Sequence, residues 1–72
     1  MEKIYIEMVY TNHNFTDIKT CYKKQSDAIK RLRQLKAEHE ATTNHYSEEY
    51  LFICYLEGTN RIEVDFEIKN LR

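Results

Sequence analysis

The chain has 72 residues and a formal net charge of −1 at pH 7, which makes it one domain, residues 1–72, too short to hold a deep substrate cavity beside a core. The near-neutral balance gives no bulk attraction to nucleic acid or membrane. One glycine and no proline exclude linkers and low-complexity tails.

Residues Lys3 to Tyr10 alternate, with Ile4, Ile6, Met8 and Tyr10 against Tyr5, Glu7 and Val9. This is the pattern of a strand, and its more apolar set is expected to face the core. Met1 leads straight into it, without a basic segment followed by an apolar one. No apolar run approaches membrane-spanning length, so the expected localisation is cytoplasmic, with no membrane partner. Asn12-His13-Asn14 then reads as a three-residue turn. A second strand, about Phe15 to Lys23, carries Ile18, Thr20 and Tyr22. That loop would set Met8 opposite Ile18, Ile6 opposite Thr20 and Ile4 opposite Tyr22, all on one face.

Ser26 is the expected helix N-cap, with Asp27 at the positive end of the helix dipole. Ala28, Ile29, Leu32, Leu35 and His39 recur at spacings of three and four, the stripe of an amphipathic helix of about four turns. Ala41-Thr42-Thr43-Asn44 weakens helix propensity and ends it, and His45 to Glu49 is expected to be a connector.

Tyr50 to Leu56 is apolar without interruption, as in a strand that buries both faces. Arg61 to Lys69 alternates strictly: Ile62, Val64, Phe66 and Ile68 interleave with Glu63, Asp65, Glu67 and Lys69. A two-residue Gly58-Thr59 turn would put Leu51, Ile53 and Tyr55 on the face of Ile62, Val64 and Phe66. A three-residue turn would put Phe52, Cys54 and Leu56 there. Glycine in the first loop position suits a type II′ turn and favours the first register.

These elements predict an α+β fold: a four-stranded antiparallel sheet, β-β-α-β-β, in the order 2-1-3-4, with one helix on one face. If the helix runs back along the first hairpin, this order makes every neighbouring pair antiparallel and gives a right-handed crossover. The edges would be strands two and four, guarded by Lys19, Lys23, Glu63, Asp65 and Glu67. The two cysteines, Cys21 and Cys54, are expected to be reduced, since the sheet order holds them beyond disulfide reach.

No catalytic or metal-binding set emerges, and no cofactor is implied. The three histidines form no CxxC- or HExxH-like spacing with the cysteines. Cys21 lacks a neighbouring base, and Cys54 sits in an apolar run that opposes thiolate formation. A non-enzymatic role is therefore expected.

The surplus of apolar surface carries the functional reading. One helix covers one sheet face, so the far face needs a cover from outside. The expected partner-binding surface is Tyr5, Val9, Phe52, Cys54 and Leu56, facing a protein partner or a second copy as a two-fold dimer. Charge is also polarised. From Lys19 to Lys36 seven cations meet one acid, and from Glu38 to Glu67 eight acids meet one cation. Lys30, Arg31, Arg33, Lys36, Glu63 and Asp65 are the candidates for steering a charged partner. The alternative reading is a nucleic-acid binder that meets phosphates with Lys30, Arg31, Arg33 and Lys36.

In its opening Lys3-Ile4-Tyr5-Ile6, its Ser26-Asp27-Ala28-Ile29-Lys30 helix start and its bias to lysine, glutamate, isoleucine, tyrosine and asparagine, the chain resembles short orphan proteins of phages and prophages. That resemblance implies a stoichiometric inhibitor or modulator of a host or defence protein, with no residue roles attached.

Overall fold

The computed structural model describes residues 2–71. Strands β1 (Glu2–Thr11) and β2 (Asn14–Tyr22) are followed by helix α1 (Gln25–Glu38) and a single 3-10 turn, Glu40–Thr42. Strands β3 (Thr43–Ser47), β4 (Phe52–Glu57) and β5 (Asn60–Leu71) complete one antiparallel sheet in the order β2-β1-β5-β4-β3. The expected class, α+β with one helix, holds. The four-stranded sheet in the order 2-1-3-4 does not.

One missed strand accounts for the error. β3 lies where a helix end and a connector were expected, in the polar stretch Thr43-Asn44-His45-Tyr46-Ser47. An extra strand reverses the direction of everything after it. β4 then runs parallel to β1 and cannot be its antiparallel neighbour, whereas β5 can. β1 and β5 accordingly pair over ten residues, from Glu2 opposite Leu71 to Thr11 opposite Ile62. The helix crosses from one edge strand, β2, to the other, β3. The acids Glu63, Asp65 and Glu67, expected to guard an edge, instead lie on the central strand.

This pairing also decides which side of β1 is covered. Residues directly opposite share a face, so Val64 and Phe66 bring Val9 and Glu7 under the helix. Burying Ile4, Ile6, Met8 and Tyr10, as the sequence suggested, would bury Glu63, Asp65 and Glu67 beside them. Burying the odd set of β1 encloses one carboxylate, Glu7, and a single one can be matched. Tyr5 and Val9 are therefore not on the open face. Tyr5 is buried in the core, and Val9 packs against it.

The core under the helix joins Ala28, Leu32 and Leu35 to Tyr5, Leu51, Ile53, Tyr55, Ile62, Val64 and Phe66. The helix N-cap is Lys24, not Ser26, which sits inside the first turn. His39 caps the other end and stacks on Tyr55, with ring centroids 3.7 Å apart.

The β1–β2 and β4–β5 turns have two residues each, while four residues, Glu48 to Leu51, close the β3–β4 hairpin. Glu57 pairs with Asn60 across Gly58-Thr59, as the favoured register required, and Gly58 takes the positive φ of +65° that a first II′ position demands. In the first hairpin Asn12 and His13 both have positive φ, 52° and 72°, and Thr11 pairs with Asn14. The expected three-residue loop is thus one residue too long. Met8 still meets Ile18, because an irregularity beside Thr16 restores the register; the Thr16 hydroxyl donates to the Val9 carbonyl at 3.0 Å. A second shift then sets Ile6 opposite Cys21 and Tyr5 opposite Tyr22, not Thr20 and Ile4. Tyr22 moves to the covered side as a result. Asn12 ties the two turns together: its N–H donates to the Arg61 carbonyl and its Oδ1 accepts from Arg61 N–H, at 2.8 and 2.9 Å.

Candidate protein-interaction face

The strand pairings place Ile4, Ile6, Met8 and Tyr10 of β1 on the face turned from the helix. Phe15, Ile18 and Cys21 of β2 and Phe52, Cys54 and Leu56 of β4 share it. The four β1 side chains and Phe52 are half-buried by their neighbours. Phe15, Ile18 and Leu56 remain 51%, 53% and 40% exposed. Tyr10 and Phe15 meet edge to face with centroids 5.7 Å apart, a favourable ring geometry.

Three of the five expected partner-binding residues, Phe52, Cys54 and Leu56, are therefore on this face, and Tyr5 and Val9 are not. Cys54 is fully buried between its cross-strand neighbours His45 and Glu63, so only Phe52 and Leu56 of the three offer surface. Sequence reading missed Phe15 and Ile18 as surface, together with the even residues of β1. Their signal is the strict alternation of β5, which fixes the faces once β1 is known to pair with it. The cysteines are free, Cys21 exposed on β2 and Cys54 on β4, with β1 and β5 between them.

Glu63, Asp65 and Glu67 run down the middle of this face. Glu63 is engaged by Arg61 Nη2 at 3.2 Å and lies 3.7 Å from His13 Nδ1. Asp65 has Met8 on one side and Phe52 on the other. Loss of water raises its carboxyl above the ordinary value, and the charges of Glu67 and then Glu63 add to this.

The helix cations are mostly occupied. Arg31 Nε donates to both oxygens of the buried Glu7, at 3.4 and 3.3 Å, and Tyr22 OH donates to Glu7 Oε1 at 3.0 Å. Burial first, and the Glu7 hydrogen bond second, raise the Tyr22 phenol. Arg33 grips Glu48 with two bonds, at 2.8 and 3.0 Å, and Tyr46 OH donates to the same carboxylate at 2.6 Å. These bonds hold Glu48 down to about 2. Tyr46 is pushed up to about 12 by burial and then by Glu48. Lys36 Nζ sits 4.5 Å from the Tyr46 ring centroid, a cation–π contact. Of the four expected steering cations, Arg31 and Arg33 are ion-paired, and Lys30 and Lys36 make no ion pair among the described residues.

Among the described residues no group of three or more His, Cys, Asp or Glu is placed to hold a metal ion. No helix among them is long and apolar enough to cross a membrane. Comparison with protein-family models, curated proteins and solved structures finds no significant match.

Proposed function

We propose that the chain is a small non-enzymatic protein-binding domain that docks a foreign protein on the sheet face opposite its helix. The observation that carries this reading is the apolar surface left uncovered there: Phe15, Ile18 and Leu56 largely exposed beside Ile4, Ile6, Met8, Tyr10 and Phe52. Apolar side chains grouped on an exposed face and rimmed by polar ones mark interaction sites in soluble proteins. The compositional resemblance to short phage and prophage proteins supports a stoichiometric modulator of its target. The nucleic-acid alternative finds less support, because Arg31 and Arg33 are already neutralised by Glu7 and Glu48.

The test compares the wild-type chain with an Ile18→Glu/Leu56→Glu variant, both immobilised and exposed to extract of the source cell. The expected result is a protein retained in stoichiometric amount by the wild type and lost by the variant, with purified partner reproducing the complex. Equal retention by both, or no protein retained, overturns the proposal. So does steep salt-dependent retention of RNA or DNA alone.

A further inference from the structure

The acidic row restricts what this face can dock. An occupant that dries the apolar groups on β1, β2 and β4 must also cover Asp65 and Glu67, since β5 runs between them. Neither carboxylate makes an ion pair among the described residues, while Glu63 is held by Arg61. A carboxylate covered without a partner loses more in hydration than nearby apolar contacts return. Asp65 is exposed to water in the free chain, and partial loss of water followed by the charges of Glu67 and Glu63 raises its carboxyl in the same sense.

A second copy does not solve this. Two such sheets stacked about 30° apart over the whole face set the acidic row of one against the acidic row of the other. Sliding the copies so that β1 and β2 cover each other escapes the repulsion and leaves Phe52 and Leu56 bare. Packing a helix of one copy on the sheet of the next brings only Lys30 and Lys36 as helix cations without an ion pair among the described residues, since Arg31 and Arg33 are engaged, and such a head-to-tail contact grows without closing.

Resting on the reading of this face as a docking surface, we infer that its occupant is a foreign protein surface bearing at least two lysine or arginine side chains flanked by apolar ones. The cations sit over Asp65 and Glu67, and the apolar groups fill the strips on either side, toward Ile6, Met8 and Ile18 and toward Phe52 and Leu56. The two-fold homodimer expected from the sequence is not the assembly this face serves.

Two synthetic extended peptides test this against isotope-labelled protein by amide chemical shifts. One alternates lysine with valine and tyrosine, and the other carries glutamate at every lysine position. The lysine peptide is expected to shift amides of β1, β4 and β5, and its affinity should fall severalfold as salt rises from low to physiological. An Asp65→Asn/Glu67→Gln variant, its fold checked by its own spectrum, should bind it at least about tenfold more weakly, about 1.4 kcal/mol. The glutamate peptide should leave the spectrum unchanged. Equal binding of both peptides, undiminished binding by the variant, or no shift of these strands overturns the inference. Sedimentation separates the two levels. A wild-type dimer dissolved by Ile18→Glu overturns the cationic partner and keeps the face as a docking surface, whereas a failure of the docking reading appears as partner capture indifferent to Ile18 and Leu56.

Discussion

The two faces of this sheet are built from the same strands, yet they differ in what each polar group has been given. Beneath the helix a single carboxylate, Glu7, is enclosed, and Arg31 and Tyr22 both reach it. On the other side three carboxylates line the central strand among apolar neighbours, and only Glu63 has a cation within 4.0 Å among the described residues. The covered side meets the usual requirement that buried charge be matched internally. On the open side Asp65 and Glu67 are exposed to water, and the requirement arises only when something covers them. A finished face and an unfinished one, on one pleated surface, is the physical basis for assigning function to the second.

The largest expected contrast comes from truncating one apolar side chain on each side. Leu32 is fully buried, and Leu32→Ala should destabilise by about 3 kcal/mol, a substantial part of the stability of a domain this small. Ile18→Ala on the open side should change stability by no more than about 0.5 kcal/mol. Urea denaturation of both variants measures the difference. If Ile18→Ala costs as much as Leu32→Ala, the open face is core and the comparison fails.

Next in size is the enclosed ion pair. Arg31→Met leaves Glu7 with Tyr22 alone, and breaking a buried pair from one side typically costs about 3–5 kcal/mol. Here about 2 kcal/mol is expected, because the Arg31 side chain is 29% exposed and water can follow it out. Removing the carboxylate as well, with Glu7→Leu, should restore most of that loss. A double variant no more stable than Arg31→Met would mean that Glu7 is not held by the charge of Arg31.

How far these faces were legible in the sequence follows from where the information lies. The alternation of β5 and the stripe Ala28, Leu32, Leu35 are local patterns; the stripe is realised, and the alternation holds from Ile62 to Phe66, beyond which Ile68 is exposed. The Gly58 turn was legible because a positive φ leaves a chemical trace in glycine. The turn at Asn12-His13 left a weaker one, since a histidine at φ 72° is not announced by its residue type. β3 was illegible for a different reason. Asn44 and His45 lack strand propensity, and the segment is a strand only because the edge of β4 is there to pair with it. That one non-local fact set the direction of β4 and β5, and with it the side on which Tyr5, Glu7 and Val9 lie. The site suffered accordingly. Phe52, Cys54 and Leu56, read from their own hairpin, fell on the face turned from the helix as expected, and Tyr5 and Val9, whose face depended on a distant strand, did not.

A smaller effect separates the helix's second arginine from its first. Glu48 is gripped by Arg33 and Tyr46 at the surface, and its carboxyl is held at about 2 against an ordinary 4.5. A lowered carboxyl stabilises the fold when ionised, so the contribution is present above about pH 4.5 and is lost as pH falls toward 2. Glu48→Gln should flatten this part of the pH profile of the urea midpoint, leaving the profile above pH 5 nearly parallel to wild type. The opposite limb belongs to Tyr46, whose phenol is raised to about 12. Its contribution is present below pH 10 and declines as pH rises through 12, and Tyr46→Phe removes that decline. A Glu48→Gln profile as steep as wild type between pH 4.5 and 2 would assign the acid sensitivity elsewhere.

The smallest predicted effect is the most diagnostic of the open face. The Asp65 carboxyl is raised by loss of water and then by Glu67 and Glu63, so the folded chain holds that proton more tightly than the unfolded chain does. By linkage, ionising Asp65 at neutral pH works against the fold, and the penalty disappears as the group is protonated at low pH. Asp65→Asn should therefore stabilise the isolated chain at pH 7, by no more than about 0.5 kcal/mol because the residue still reaches water. The gain should vanish at low pH. A neighbouring lysine or arginine would reverse the sign, lowering the carboxyl and turning its charge into an asset. An NMR titration of Asp65 alone and in complex reads this directly. A carboxyl that titrates below its ordinary value in the free chain would mean that its charge is already satisfied, and the face would have no unmet need for a cation.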